Sequence, residues 1–120
     1  MYQQKTAIDI KDIPGDHLSK NCFVVSAQYV IHESKNGKPD LILVHGIVTG
    51  QGKINGLRYI HAWVEDGDTV IDKSDGRDIE MPRFLYYALG NIGRTFSYTP
   101  QKAKTGMLKY QHYGPWDFKA

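Results

Sequence analysis

The stretch that most constrains this chain is Tyr59 to Ser74, "YIHAWVEDGDTVIDKS", in which Asp66-Gly67 joins two short runs of β-forming residues. An Asp-Gly pair between such runs is a strong signal for a type I′ hairpin, because both central residues need φ > 0 and Asp and Gly tolerate it. The turn then predicts a register. With Asp66 and Gly67 as the loop, Glu65 faces Asp68, Val64 faces Thr69, Trp63 faces Val70, Ala62 faces Ile71 and His61 faces Asp72. Residues directly opposite share a sheet face with Cβ atoms about 4.5 to 5.5 Å apart, near enough for a carboxylate to accept the imidazole Nδ1 proton. A one-residue slip would part them. The spacing therefore predicts an oriented histidine, which is half of a nucleophilic site.

With 120 residues, 41% of them hydrophobic, the chain suits one domain over 1–120 with one core. Its 15 Lys and Arg against 13 Asp and Glu are scattered, which argues against a nucleic-acid binder with a concentrated phosphate-neutralising patch. The N-terminus "MYQQKTAIDIKDIPGD" has no apolar signal region, and no window approaches the roughly 18 apolar residues of a membrane span. These features predict a cytoplasmic protein with no membrane association. A single cysteine excludes an internal disulfide and fits a reducing compartment.

Along the chain, residues 1–16 read as an irregular lead-in closed by Pro14-Gly15. From Ser19 to about Ser34, Phe23, Val24, Ala27, Val30 and Ile31 recur at the spacing of one helical face. Ser19 or Asn21 is a suitable cap, and either places Cys22 in the first turn. "LILVHGIVTG" and "GLRYIHAWVE" read as strands around the loop "QGKIN", and "DTVIDKS" completes an antiparallel meander. Pro82 suits the first turn of a short helix, "PRFLYYALGNI", ended by Gly93. "RTFSYT" reads as an edge strand. Thr99-Pro100 is a good helix start, although Gly106 weakens the middle of that segment, and "YGPWD" is a turn carrying an aromatic anchor. The order gives an α+β fold: a helix carrying the cysteine packed on an antiparallel sheet, with helices C-terminal to it.

A cysteine in the first turn of a helix meets unpaired backbone N–H groups and the positive end of the macrodipole, which favour the thiolate. With His61 as base and Asp72 fixing its tautomer, the parts of a Cys, His, Asp triad are present, against the ordinary reading of Cys22 as a small buried hydrophobe. A zinc site from the same three residues lacks a supporting CxxC or HxxxH pair. "GIVTGQGKIN" fails as a phosphate loop, since Gly46 is one residue too far from Gly52-Lys53 and Ile54 replaces the required Ser or Thr. His32 and His45 read as surface or satisfied polar residues, and Tyr86, Tyr87 and Trp116 as packing residues. Trp63, two residues after His61 on the same strand face, is expected as a cleft wall.

"NCFVV" at a helix start, then "HAWVE", then "VIDKS" after a tight turn, resembles the papain-like superfamily, particularly its small transglutaminase-like and bacterial or phage cysteine-peptidase branches. The resemblance covers Asn21 to about Gly90, with "HAWVE" and then "VID" its most specific piece. It implies a papain-like or transglutaminase-like core, with Cys22 as nucleophile, His61 as general base and acid, and Asp72 as orienting carboxylate. The expected activity is that of a thiol hydrolase or acyltransferase on an amide or isopeptide bond of a peptide or protein, without cofactor or metal. Many such enzymes carry a Gln shortly before the Cys for the oxyanion hole. Here the preceding residues are "DHLSKN", which leaves Asn21, His17 or a backbone N–H alone as candidates. The competing expectation is a catalytically inactive domain of this fold that binds a protein partner.

Overall fold

The computed structural model describes residues 22–50, 56–74 and 77–118. The lead-in, the loop "QGKIN", His17, Ser19 and Asn21 lie outside them. The elements run α1 (Cys22–Lys35), β1 (Ile42–Thr49), β2 (Arg58–Asp66), β3 (Thr69–Asp72), β4 (Ile79–Pro82), α2 (Arg83–Gly90), β5 (Thr95–Tyr98) and α3 (Pro100–Tyr110). The strands form one antiparallel sheet in the order β4-β3-β2-β1-β5. The chain is thus α+β, with the expected meander at the sheet centre and the expected edge strand at β5; β4 was not foreseen.

Both sheet faces are covered. On one, Val24, Ala27, Val30 and Ile31 of α1 and Ala103 and Met107 of α3 pack on Leu43, Val64 and Ile71. On the other, Val44, Val48, Trp63 and Val70 are covered by Tyr86 and Tyr87 of α2, with Ile92 beside them. Period-two alternation along β1 and β2 supplies each face in turn, which is why Val64 and Trp63 belong to different cores. No helix among the described residues is long and apolar enough to cross a membrane.

Three local expectations change. The hairpin pairs Asp66 with Thr69, Glu65 with Val70 and Val64 with Ile71, so its loop is Gly67-Asp68 and not Asp66-Gly67. Of the two loop residues only Gly67 has positive φ, at 60°, which is the type II′ arrangement and relieves Asp66 of a left-handed backbone. Helix α2 ends at Gly90 with Asn91 in the left-handed cap, ahead of the expected Gly93. Helix α3 forms through Gly106 because Thr99 caps it, accepting from the Lys102 N–H, and because the Trp116 ring lies where a side chain would be. A Cβ at position 106 would come within 2.9 Å of that ring.

His45 is neither a surface residue nor a satisfied one. It is fully buried among Phe23, Tyr98 and Trp116, and neither ring nitrogen has a hydrogen-bond partner. Burial lowers its pKa to about 3, with Asp117 opposing and His112 assisting, so the ring is neutral. His32 is exposed, bonded to Asn36, as expected of a surface residue.

Candidate active site

The hairpin shift is two residues, an even number, and this preserves the site. Asp72 moves from opposite His61 to its diagonal neighbour, but both stay on the α2 face of the sheet. The carboxylate Oδ2 lies 2.9 Å from His61 Nε2. The expected contact therefore exists through the other ring nitrogen, Nε2 in place of Nδ1.

Both partners are buried, His61 to 3% exposure and Asp72 to 1%. Asp72 is saturated with donors. Oδ1 accepts from the Ser74 backbone N–H at 3.1 Å and from Ser74 Oγ at 2.7 Å, while Oδ2 accepts from Tyr86 Oη at 2.9 Å as well as from His61. Arg77 Nη1 lies 3.8 Å from the same Oδ2 and 3.5 Å from His61 Nε2. With its Nε2 proton given to Asp72, His61 offers that guanidinium no lone pair, so Arg77 acts on the pair through its charge.

Cys22 opens α1, which packs mainly on the opposite sheet face. Its side chain nevertheless interacts with His61 and favours the protonated ring. The β2–β3 ladder ends at Val64, three residues short of His61. One turn further on, Ser26 Oγ donates to the Ala62 carbonyl and fixes α1 against β2. Since Nε2 serves Asp72, Nδ1 is the nitrogen left to exchange a proton with the thiol.

Burial by itself would lower the His61 pKa, but the hydrogen bond to Asp72, the interaction with Cys22 and the negative charge beside the ring outweigh it and raise the value to about 9. Burial likewise opposes ionisation of Asp72, yet its bonds to His61 and Ser74 hold it down at about 2. Burial, reinforced by the charge of Asp72, pushes the Tyr86 hydroxyl well above the usual phenol range, so it remains a donor.

His61 and Asp72 contribute to a cleft of about 360 Å³ whose walls are mostly apolar, including Val48, Ile79, Met81 and Leu89. Trp63 is not one of its walls. It is fully buried under the site, 6.1 Å from His61 between ring centroids, with its indole N–H given to Glu65. Sequence reasoning missed Ser74, Arg77 and Tyr86. Ser74 had a signal, because an Asp carboxylate readily accepts from the backbone two residues on. Tyr86 had none, being brought in by the packing of α2. Among the described residues, no cluster of three His, Cys, Asp or Glu side chains is arranged to hold a metal ion.

Compared with protein-family models, curated proteins and solved structures, the chain matches none.

Proposed function

We propose that the protein is a cysteine-dependent hydrolase or acyltransferase of the papain-like kind, acting on an amide or isopeptide bond through Cys22, His61 and Asp72. The observation that carries this reading is a buried His61 hydrogen-bonded to the Asp72 carboxylate and interacting with the side chain of the sole cysteine.

In this reading His61 takes the Cys22 thiol proton, leaving the sulfur as nucleophile. The sulfur attacks the substrate carbonyl carbon and forms a C–S bond. The C–N bond then breaks as His61 gives its proton to the departing amine, and a thioester remains on Cys22. Water or an acceptor amine attacks that thioester, its proton passes to His61, and the C–S bond breaks to restore the resting pair. Asp72 stays ionised throughout and holds the ring in place. The apolar cleft beside His61 suits a substrate with an apolar side chain near the scissile bond.

The test is a panel of peptide amides and isopeptides, with intact-mass detection of a thioester on Cys22. Turnover with such an adduct, lost in Cys22→Ala and in His61→Ala, supports the reading. A second reading, a protein-binding domain, is favoured by the exposed apolar side chains of α2, where Phe84 is 77% and Leu89 60% exposed. Iodoacetamide labelling of Cys22 that is unchanged in His61→Ala would select it and set hydrolysis aside.

A further inference from the structure

Asp72 is held by two kinds of donor. The Ser74 hydroxyl and N–H come from the same stretch of chain and occupy Oδ1. Tyr86 comes from α2, a helix with no fully buried residue, and occupies the oxygen that His61 also uses. Two donors on one carboxylate oxygen compete, because each reduces the electron density available to the other. The same tyrosine lies over Trp63, with ring centroids 5.3 Å apart, and borders the cleft with Leu89 and Gly90.

We propose that Tyr86 is a positioning residue which, by sharing Asp72 Oδ2 with His61, sets how firmly the carboxylate holds the imidazole proton and so makes the proton affinity of the site depend on the seating of α2. The inference builds on the proposed Cys22, His61, Asp72 site but does not need turnover to be tested. Among the described residues, the charged and titratable groups facing His61 are Cys22 from α1, Asp72 from β3, Arg77 before β4 and Tyr59 from its own strand. Tyr86 acts through Asp72.

Tyr87 supplies a matched control. It sits on the same helix and donates to a different carboxylate, Glu65 Oε2, at 2.5 Å. The experiment tracks the His61 Cε1–H resonance by NMR against pH in the wild type, Tyr86→Phe and Tyr87→Phe. Losing the Tyr86 donor leaves a more basic carboxylate, so the His61 midpoint rises by about 0.5 unit or more, while Tyr87→Phe leaves it in place. A stronger donor, 3-fluorotyrosine incorporated at position 86, moves the midpoint the other way and serves if Tyr86→Phe does not fold. A midpoint unmoved by both changes at position 86, or moved equally by Tyr87→Phe, overturns the proposal. Cys22 labelling read in the same samples separates that result from failure of the hydrolase reading: an inert thiol beside a shifted His61 leaves the inference intact.

Discussion

At the residue scale, the site is organised around Asp72, a carboxylate with four hydrogen-bond donors and almost no exposure to water. Asp72→Asn is close in shape but brings an amide that cannot stabilise the imidazolium and permits the wrong ring tautomer. It is expected to keep the fold, as read by circular dichroism, while lowering turnover on the order of 10²-fold. Truncation to Ala strands the His61, Tyr86 and Ser74 donors and costs about 3 kcal/mol in denaturant unfolding. The direction of the His61 shift fixes the alkaline limb. In the proposed reaction the departing amine takes the His61 proton, so the rate is expected to fall as pH rises through about 9, and a pH–rate profile checks this.

At the scale of elements, α3 makes the sharpest prediction. Gly→Ala inside a helix ordinarily stabilises by about 1 kcal/mol. At Gly106 the new Cβ meets the Trp116 ring at 2.9 Å, so Gly106→Ala should lower the melting temperature. In a Trp116→Ala background the same change should become neutral or favourable, and the double-mutant cycle measures the difference. Elements of this size were legible in the sequence where periodicity and turn chemistry agreed: the meander, the α1 face and the Thr99 cap. The hairpin loop was misplaced because Asp-Gly reads as a I′ pair, whereas the chain uses Gly67 alone for the positive φ. The His61 and Asp72 pairing was still legible, since faces repeat every second residue and the error was even. Strand β4, Arg77 and Tyr86 were not, because a four-residue strand is too short to show a period and the two side chains reach Asp72 by packing that leaves no local pattern.

At the scale of the whole molecule, two buried histidines set opposite limits on stability. His45 is about 3 in the folded protein against 6.5 in the unfolded chain, so the unfolded state takes up a proton that the folded state refuses, and stability falls as pH drops from 6.5. His61 is about 9 against 6.5, so its stabilisation is complete below 6.5 and is lost as pH rises toward 9. Each limb has a slope of up to about 1.4 kcal/mol per pH unit, and urea midpoints measured against pH should peak near 6.5. His45→Leu should flatten the acid limb and, by removing two unpartnered buried nitrogens, raise stability near neutrality by about 1 kcal/mol. The sheet also divides the site: Cys22 begins a helix packed on one face, whereas His61 and Asp72 belong to the other. A chain whose hairpin has formed but whose first helix has not yet docked carries a histidine and a thiol that cannot meet. In the proposed hydrolase the reactive pair thus forms only once both layers have assembled, and Cys22 labelling during refolding is expected to serve as a gauge of completed folding.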